Sequence, residues 1–408
     1  MFQLKTLSGK LDKIVFPTFA FILAVFLILL IFHREVVIDE GVYLYAGKLV
    51  SEGKIPYLDF AHVQGPLFPV FYGLLNILFG QDIYVNRIIT AVFGLSGLIF
   101  GGLIAKKLGG KNAESVYFLF CITSVYLLIH YMVVSTYAIT SFLLYSAVFL
   151  AVCKNKTVLP YLMILIASAI RLSVLIIVPI LAVYVMVENE NKKKTFWLLL
   201  TITIIFYSII FLPFILKSSE LFFYNIFGVH FSVMETGERF KMVIDTLIAN
   251  LKDYSVLMIG FLSSILGFLK IRNSNSDKII LLYTVFIALF LSHLLPVQSR
   301  GSYYNSLNMP IVFIIIGCIF TKIINTKLKM IIIVIILLNF VEQIVLVRKN
   351  RLVLSEKPIE KINSAAKYVK QNLKESDILL TFNTLLAVQS NRNIPIEFAE
   401  DCFSYKGD

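Results

Sequence analysis

The chain has 408 residues, 58% of them hydrophobic and 15% charged, with a mean hydropathy of +0.85. Soluble proteins carry roughly a quarter charged residues, so a water-soluble globular domain is excluded. The formal charge of +12 does not point to nucleic acid, because the basic residues cluster between apolar runs, where they set membrane topology.

Lys5, Lys10 and Lys13 precede the first apolar run, Ile14 to Phe32, and place the N-terminus in the cytoplasm. The run is too long for a signal-peptide core and no small-residue cleavage site follows, so it reads as a retained span. The first outer loop covers about residues 34–83. Asp39 is expected there as a helix N-cap, with Ile38 and Tyr43 as a hydrophobic staple across it and Gly53 as the stop. Leu67 to Phe79 is apolar but too short to cross. Counting it as a span would invert every later lysine cluster, so it is predicted to lie along the outer interface. Pro66 sits in its first turn and Gly80 closes it.

Span two runs from Tyr84 to Ala105 and ends on Lys106 and Lys107. Spans three and four are Ser115 to Tyr131 and Tyr137 to Val152, the latter returning to Lys154 and Lys156. Val158 to Val187 admits one long span or a short hairpin broken near Arg171-Leu172-Ser173; the charge of Lys192-Lys193-Lys194 favours the hairpin. Span seven is Thr195 to Leu216, and an outer loop follows from Lys217 to Lys252. Four more spans are Asp253 to Leu269, Ile279 to Leu295, Leu307 to Phe320 and Met330 to Val347. The expected fold is an all-α polytopic membrane protein of about eleven transmembrane helices, with interfacial helices in the first outer loop. Residues 1–350 form the membrane domain and 351–408 a small extracytoplasmic α/β tail. The tail reads as an amphipathic helix (Ile359 to Leu373), a short strand (Asp377 to Leu380) and helical turns (Thr384 to Val388).

Asp39 and Glu40 stand where the first span leaves the bilayer, where a base could act on a lipid-linked substrate. The plain alternative for Asp39 is a cap alone. Arg171 is the one basic residue deep in an apolar stretch, and an intramembrane charge is costly enough to expect a function or a partner. Its alternative is the tip of the hairpin, facing outer water. His62, His230 and His293 are isolated, and no HxH or HxxE spacing builds a metal site. The pattern leaves room for a divalent cation without requiring one. Cys121, Cys153, Cys318 and Cys402 are scattered and suggest no disulfide framework.

An ordered set of short elements carries a family resemblance. Asp39-Glu40 with Tyr43 is followed by Ile55-Pro56-Tyr57 with Asp59-Phe60. Then come Gly65-Pro66-Leu67, Tyr72, Leu75 and Leu78-Phe79-Gly80, and last Asn86-Arg87 opening a long helix. This set resembles the GT-C superfamily of glycosyltransferases, nearest the branch of protein O-mannosyltransferases and lipid A aminoarabinose transferases. The likeness is strong over residues 30–115 and fades to topology by about 350.

The resemblance implies transfer of a sugar from a polyprenyl-phosphate donor to a protein, glycan or lipid acceptor at the outer membrane face, with inversion. Asp39 would be the general base, and Glu40 would orient Asp39 or the acceptor. A phosphate leaving group needs no acid if cations and donors meet its charge. Arg171, Arg300, Tyr303 and Tyr304 are the candidates for that role. Tyr43, Tyr57, Asp59, His62 and Arg87 would shape the loop or the acceptor site, as would Phe222, Phe223, Tyr224, His230 and Arg239 in the later outer loop. One departure counts against the lipid A substrate: Gly41-Val42-Tyr43 stand where that branch has an arginine. The oligosaccharyltransferase branch carries a tryptophan-rich motif in a sizeable soluble domain; the single Trp197 and short tail argue against it. A lipid-linked-sugar flippase is the first rival, disfavoured by the absence of an internal repeat and by the near absence of acids within the spans. A non-catalytic subunit on the same fold is the second.

Overall fold

The computed structural model describes residues 2–229, 236–270, 276–294, 302–320, 326–349 and 357–399. Helices dominate. They are α1 (Phe2–His33), α2 (Ile38–Ser51), α3 (Leu67–Phe79), α4 (Ile83–Gly109), α5 (Lys111–Thr123) and α6 (Val125–Met132). Next come α7 (Thr136–Lys154), α8 (Val158–Ile170), α9 (Ile177–Glu188), α10 (Lys192–Phe223) and α11 (Thr236–Asp253). The last are α12 (Ser255–Lys270), α13 (Ser276–Leu294), α14 (Met309–Phe320), α15 (Thr326–Lys349), α16 (Pro358–Asn372) and α17 (Thr384–Ser390).

Among the described residues, α4, α7 and the α10 region are long and apolar enough to cross a bilayer, and several shorter apolar helices accompany them. Small residues on α4 let its neighbours close in: Gly97 faces Ser141 of α7, and Gly101 and Gly102 face Tyr117 and Phe118 of α5. Without a water-driven hydrophobic effect inside lipid, such close packing is what holds helices together. Buried Tyr117, Phe118, Tyr131, Tyr145 and Phe313 fill the centre. α10 stands at the edge: only 6% of its most apolar stretch is buried, as suits a lipid-facing helix.

Three expectations change. The third predicted span is not one helix: α5 and α6 meet at Ser124 with a bend of 76°. Asn339 of α15 donates to the hydroxyls of Thr123 and Ser124 at 3.2 Å each, which stabilises the break. The predicted outer loop Lys217 to Lys252 is largely helical where it is described. α10 runs on to Phe223 across a non-helical Ser218, a π turn follows at Tyr224–Gly228, and α11 succeeds it. Its strong apolar periodicity, rather than its charge, sets the local structure there. The tail strand Asp377 to Leu380 shrinks to a single parallel bridge between Ile378 and Asn393, so the described tail is helical rather than α/β. One partner residue is too few to build a ladder.

The tail packs on α2. Lys48 donates to Asn393 and pairs with Glu52. The Tyr45 hydroxyl accepts from Ile394 N–H at 3.0 Å. Gln389 donates to the Gln81 carbonyl at 2.8 Å. A Cβ on Gly41 would stand 2.5 Å from Thr384 Oγ1 and 2.8 Å from Leu385 N, so only glycine admits this approach.

Candidate active site

α2 begins two residues earlier than the sequence suggests. Val37 is the extended N-cap, Asp39 is the second helical residue, and no side chain caps the helix. Asp39 is therefore not a cap. The staple is absent too, since Ile38 is exposed and Tyr43 packs edge-on against Phe68 at 4.9 Å. The physical cause lies in Glu40. Arg87 grips it with two bonds of 2.7 Å, Nε to Oε1 and Nη2 to Oε2, and both side chains are 0% exposed. Val134 N–H adds a third bond at 3.2 Å. Drawing Glu40 inward fixes the first turn of the helix. Both acids still favour the positive end of the helix dipole.

Arg87 does more. Its Nη1 donates to the carbonyls of Ile31 and Arg34 at 3.0 and 2.9 Å, and Nη2 reaches the Glu35 carbonyl at 3.4 Å. One guanidinium from α4 thus satisfies the end of α1 and the start of α2 together. The planar fork of arginine makes this feasible, and lysine could not repeat it. Asp39, next along the chain, is exposed. At 3.6 residues per turn it points about 160° away from Gly41, so its side of α2 is opposite the tail. A cavity of about 300 Å³ between α2 and the tail, walled by Val37, Gly41 and Phe382, lies on that other side.

The rest of the outer loop is tightly built. Gly53, at φ +84°, ends α2 as expected. Asp59 closes a turn by accepting from Ile55 N–H at 2.7 Å. Tyr57 is buried at φ +67°, a sparsely populated conformation for a large side chain. Its hydroxyl donates to the Gln64 carbonyl at 2.5 Å, and its ring meets Phe214 and Phe222 edge-on at 5.2 and 5.4 Å. His62 is fully buried, and its N–H donates to Asn225 Oδ1 at 3.1 Å. The loop is thereby anchored on α10 and the π turn. Gly65 then presses onto the end of α8: its N–H donates to Ile170 O at 3.2 Å, and a Cβ there would sit 2.0 Å from Ala169 O.

That contact brings the loop to Arg171, where the backbone turns extended (φ −135°, ψ 108°) and α8 ends. The break falls where the sequence predicts it, and a 3-10 turn, Leu172–Ile176, leads into α9. Arg171 is buried. Its Nη1 donates to Thr136 Oγ1 at 2.7 Å, Nη2 to Tyr137 OH at 3.2 Å and Nε to Ser173 Oγ at 3.1 Å, and its guanidinium lies 4.3 Å from the Tyr137 ring centre. Tyr137 in turn meets His130, which packs edge-on against Tyr126 at 4.8 Å. Two members of this neighbourhood were missed from sequence. His130 sits inside a predicted span, a signal of the kind that singled out Arg171. Arg34 is buried at the end of α1, and burial, then the adjacent Arg87, pull it below the ordinary arginine value.

Arg300 lies outside the described residues. Tyr303 and Tyr304 belong to the 3-10 helix Ser302–Leu307, with their side chains outside the description. That turn packs beside α6 and α7: Tyr131 OH donates to Ser306 O at 3.0 Å and Tyr145 OH to Leu307 O at 2.8 Å. The site candidates at His230 and Arg239 fall outside the described side chains, as does Cys402. Among the described residues no group of three His, Cys, Asp or Glu side chains could hold a metal ion.

No protein-family model matches the chain, and no curated protein matches it. Solved structures do. ArnT from Cupriavidus metallidurans, bound to undecaprenyl phosphate, superposes with a TM-score of 0.65 at 12% identity, over 94% of this chain and 85% of that one. Its apo form gives 0.61 at 12% identity, over 95% and 86%. An oligosaccharyltransferase from Archaeoglobus fulgidus, in complex with zinc and sulfate, gives 0.53 at 13% identity, over 92% of this chain and 62% of that one. Both proteins are GT-C glycosyltransferases. Across nearly all of its length, this polytopic membrane protein has the GT-C fold.

Proposed function

We propose that the protein is a glycosyltransferase that moves a sugar from a polyprenyl-phosphate donor to an acceptor hydroxyl at the outer membrane face, with inversion. Asp39 is the general base. It takes the acceptor proton as the acceptor oxygen bonds to the anomeric carbon. The bond from that carbon to the phosphate oxygen breaks, and polyprenyl phosphate leaves. An inverting displacement needs one base opposite the leaving group. In this reading Glu40 is a positioning residue: locked to Arg87, it fixes the helical turn that presents Asp39. Arg171, oriented by Thr136 and Tyr137, meets the donor phosphate, with Arg300, Tyr303 and Tyr304 contributing from the late turn. The N-terminus is cytoplasmic and the tail extracytoplasmic.

One combination supports the reading most: an exposed carboxylate on a helical turn held from behind by a buried ion pair, within a fold shared with a protein crystallised on undecaprenyl phosphate. The test is sugar transfer from undecaprenyl-phosphate-linked donors in membranes carrying Asp39→Asn. Transfer is expected to vanish while protein level stays normal. Unchanged transfer at normal expression removes Asp39 from the mechanism.

A further inference from the structure

The cavity between α2 and the tail takes no part in the proposed sugar transfer. Its volume is about 300 Å³. Val37, Ile38 and Gly41 form one wall, and Asn383, Thr384 and Leu385 face them from the tail. Among the described residues no charged side chain lines it. Hydrogen-bond donors do. α2 starts on Val37 without a side-chain cap, and the Ile38 N–H meets no acceptor among the described residues. Thr384 N–H is taken by the Phe382 carbonyl at 3.1 Å, but the next N–H, that of Leu385, meets no described acceptor either. Asn383 accepts from Leu386 N–H through Oδ1 at 3.1 Å, which leaves the Nδ2 protons. Thr384 is 2% exposed, yet its hydroxyl bonds to no described residue. Buried hydroxyls are rarely left so. Thr384 Oγ1 and Leu385 N stand 2.5 and 2.8 Å from the point a Cβ on Gly41 would occupy, so both meet the same gap beside the first turn of α2.

We propose that this cavity binds a phosphate group. The positive end of α2 favours an anion, and its first N–H groups are available to one. Of the two acids in that turn, Glu40 is paired with Arg87, and Asp39 points away from Gly41. The Ile38 and Leu385 N–H groups, the Thr384 hydroxyl and Asn383 Nδ2 supply donors, and a phosphate brings only acceptor oxygens to them. A neutral sugar fits such a lining less well, because its hydroxyls also need acceptors. Ile362 and Phe382 add an apolar rim, and the cavity begins four residues past Phe32, 48% exposed at the lipid-facing end of α1. A phospholipid headgroup and free phosphate present the same chemistry here. Either one ties the tail to the turn that carries Asp39.

A reporter in the cavity wall keeps this site apart from Arg171. The full chain carrying Trp197→Phe and Phe382→Trp has a single indole, at a position 66% exposed on the rim. In maltoside detergent, inorganic phosphate is expected to shift its emission saturably, and chloride at equal ionic strength is not. Thr384→Val keeps the side-chain shape and removes the hydroxyl. It is expected to weaken the phosphate response at least tenfold without lowering the melting temperature in chloride. Arg171→Ala is expected to leave the response in place. Nanodiscs separate the two sources. A reporter already saturated in phospholipid discs, but not in galactolipid discs, identifies a headgroup as the occupant. One that responds to added phosphate equally in both identifies free phosphate. The proposal is overturned by the lack of any phosphate response in detergent together with identical emission in the two discs. A response that Thr384→Val leaves intact, or that Arg171→Ala abolishes, overturns it too.

Discussion

Arg87 and Arg171 are both buried, and they are used in different ways. Arg87 meets a carboxylate and three backbone carbonyls. Its charge goes into joining α1, α2 and α4. Arg171 donates to three hydroxyls and lies against an aromatic face. Hydroxyls and a ring orient a guanidinium; a carboxylate cancels its charge. The first arrangement is built for architecture; in the proposed function the second presents a cation where a helix breaks. Residue type and burial are the same, and only the partners distinguish them.

Substitutions can break that contrast. The largest effect is expected for Arg87→Ala, which strands Glu40 in the interior and should cost about 3–5 kcal/mol. Thermal unfolding in detergent would report it, and a variant as stable as the parent would sink the structural role. Arg171→Ala should do less to stability and more to the donor. Loss of a charge-assisted bond worth about 1.5–3 kcal/mol predicts roughly 10- to 100-fold weaker use of the polyprenyl-phosphate donor, read as kcat/KM. An unaltered kcat/KM would move the phosphate site elsewhere. Gly65→Ala sharpens the comparison from the loop side. Its Cβ would overlap Ala169 O, so a loss of about 1–3 kcal/mol is expected, together with reduced transfer. Equal activity and melting temperature would mean the loop is not held there. The smallest effect is expected for Tyr57→Phe, which loses the bond to Gln64 and about 1 kcal/mol, with transfer nearly intact.

Much of the frame was legible in the sequence because its signals are local. Pro66 and Gly80 bound α3, Gly53 ends α2, and the charge pattern marks the break at Arg171. The features that were not legible depend on distant residues. Asp39 reads as a cap until Glu40 finds Arg87, 47 positions away. Ser124 gives no hint of a bend without Asn339, 215 positions on. The anchoring of His62 on Asn225 joins two segments read separately. The acids, Arg171 and the loop motif were all visible from sequence, but their partners were not.

The seal between Tyr45 and Ile394 has a consequence for biogenesis. It joins residues 349 positions apart, so α2 is among the first elements made and among the last to be covered. Until residues 384–394 arrive, the outward side of that helix, with Gly41 and Lys48, stays bare. A nascent chain therefore cannot finish its outer surface segment by segment. Protease protection of α2 in stalled chains should come on only when the tail emerges, which makes that protection a direct timer of assembly.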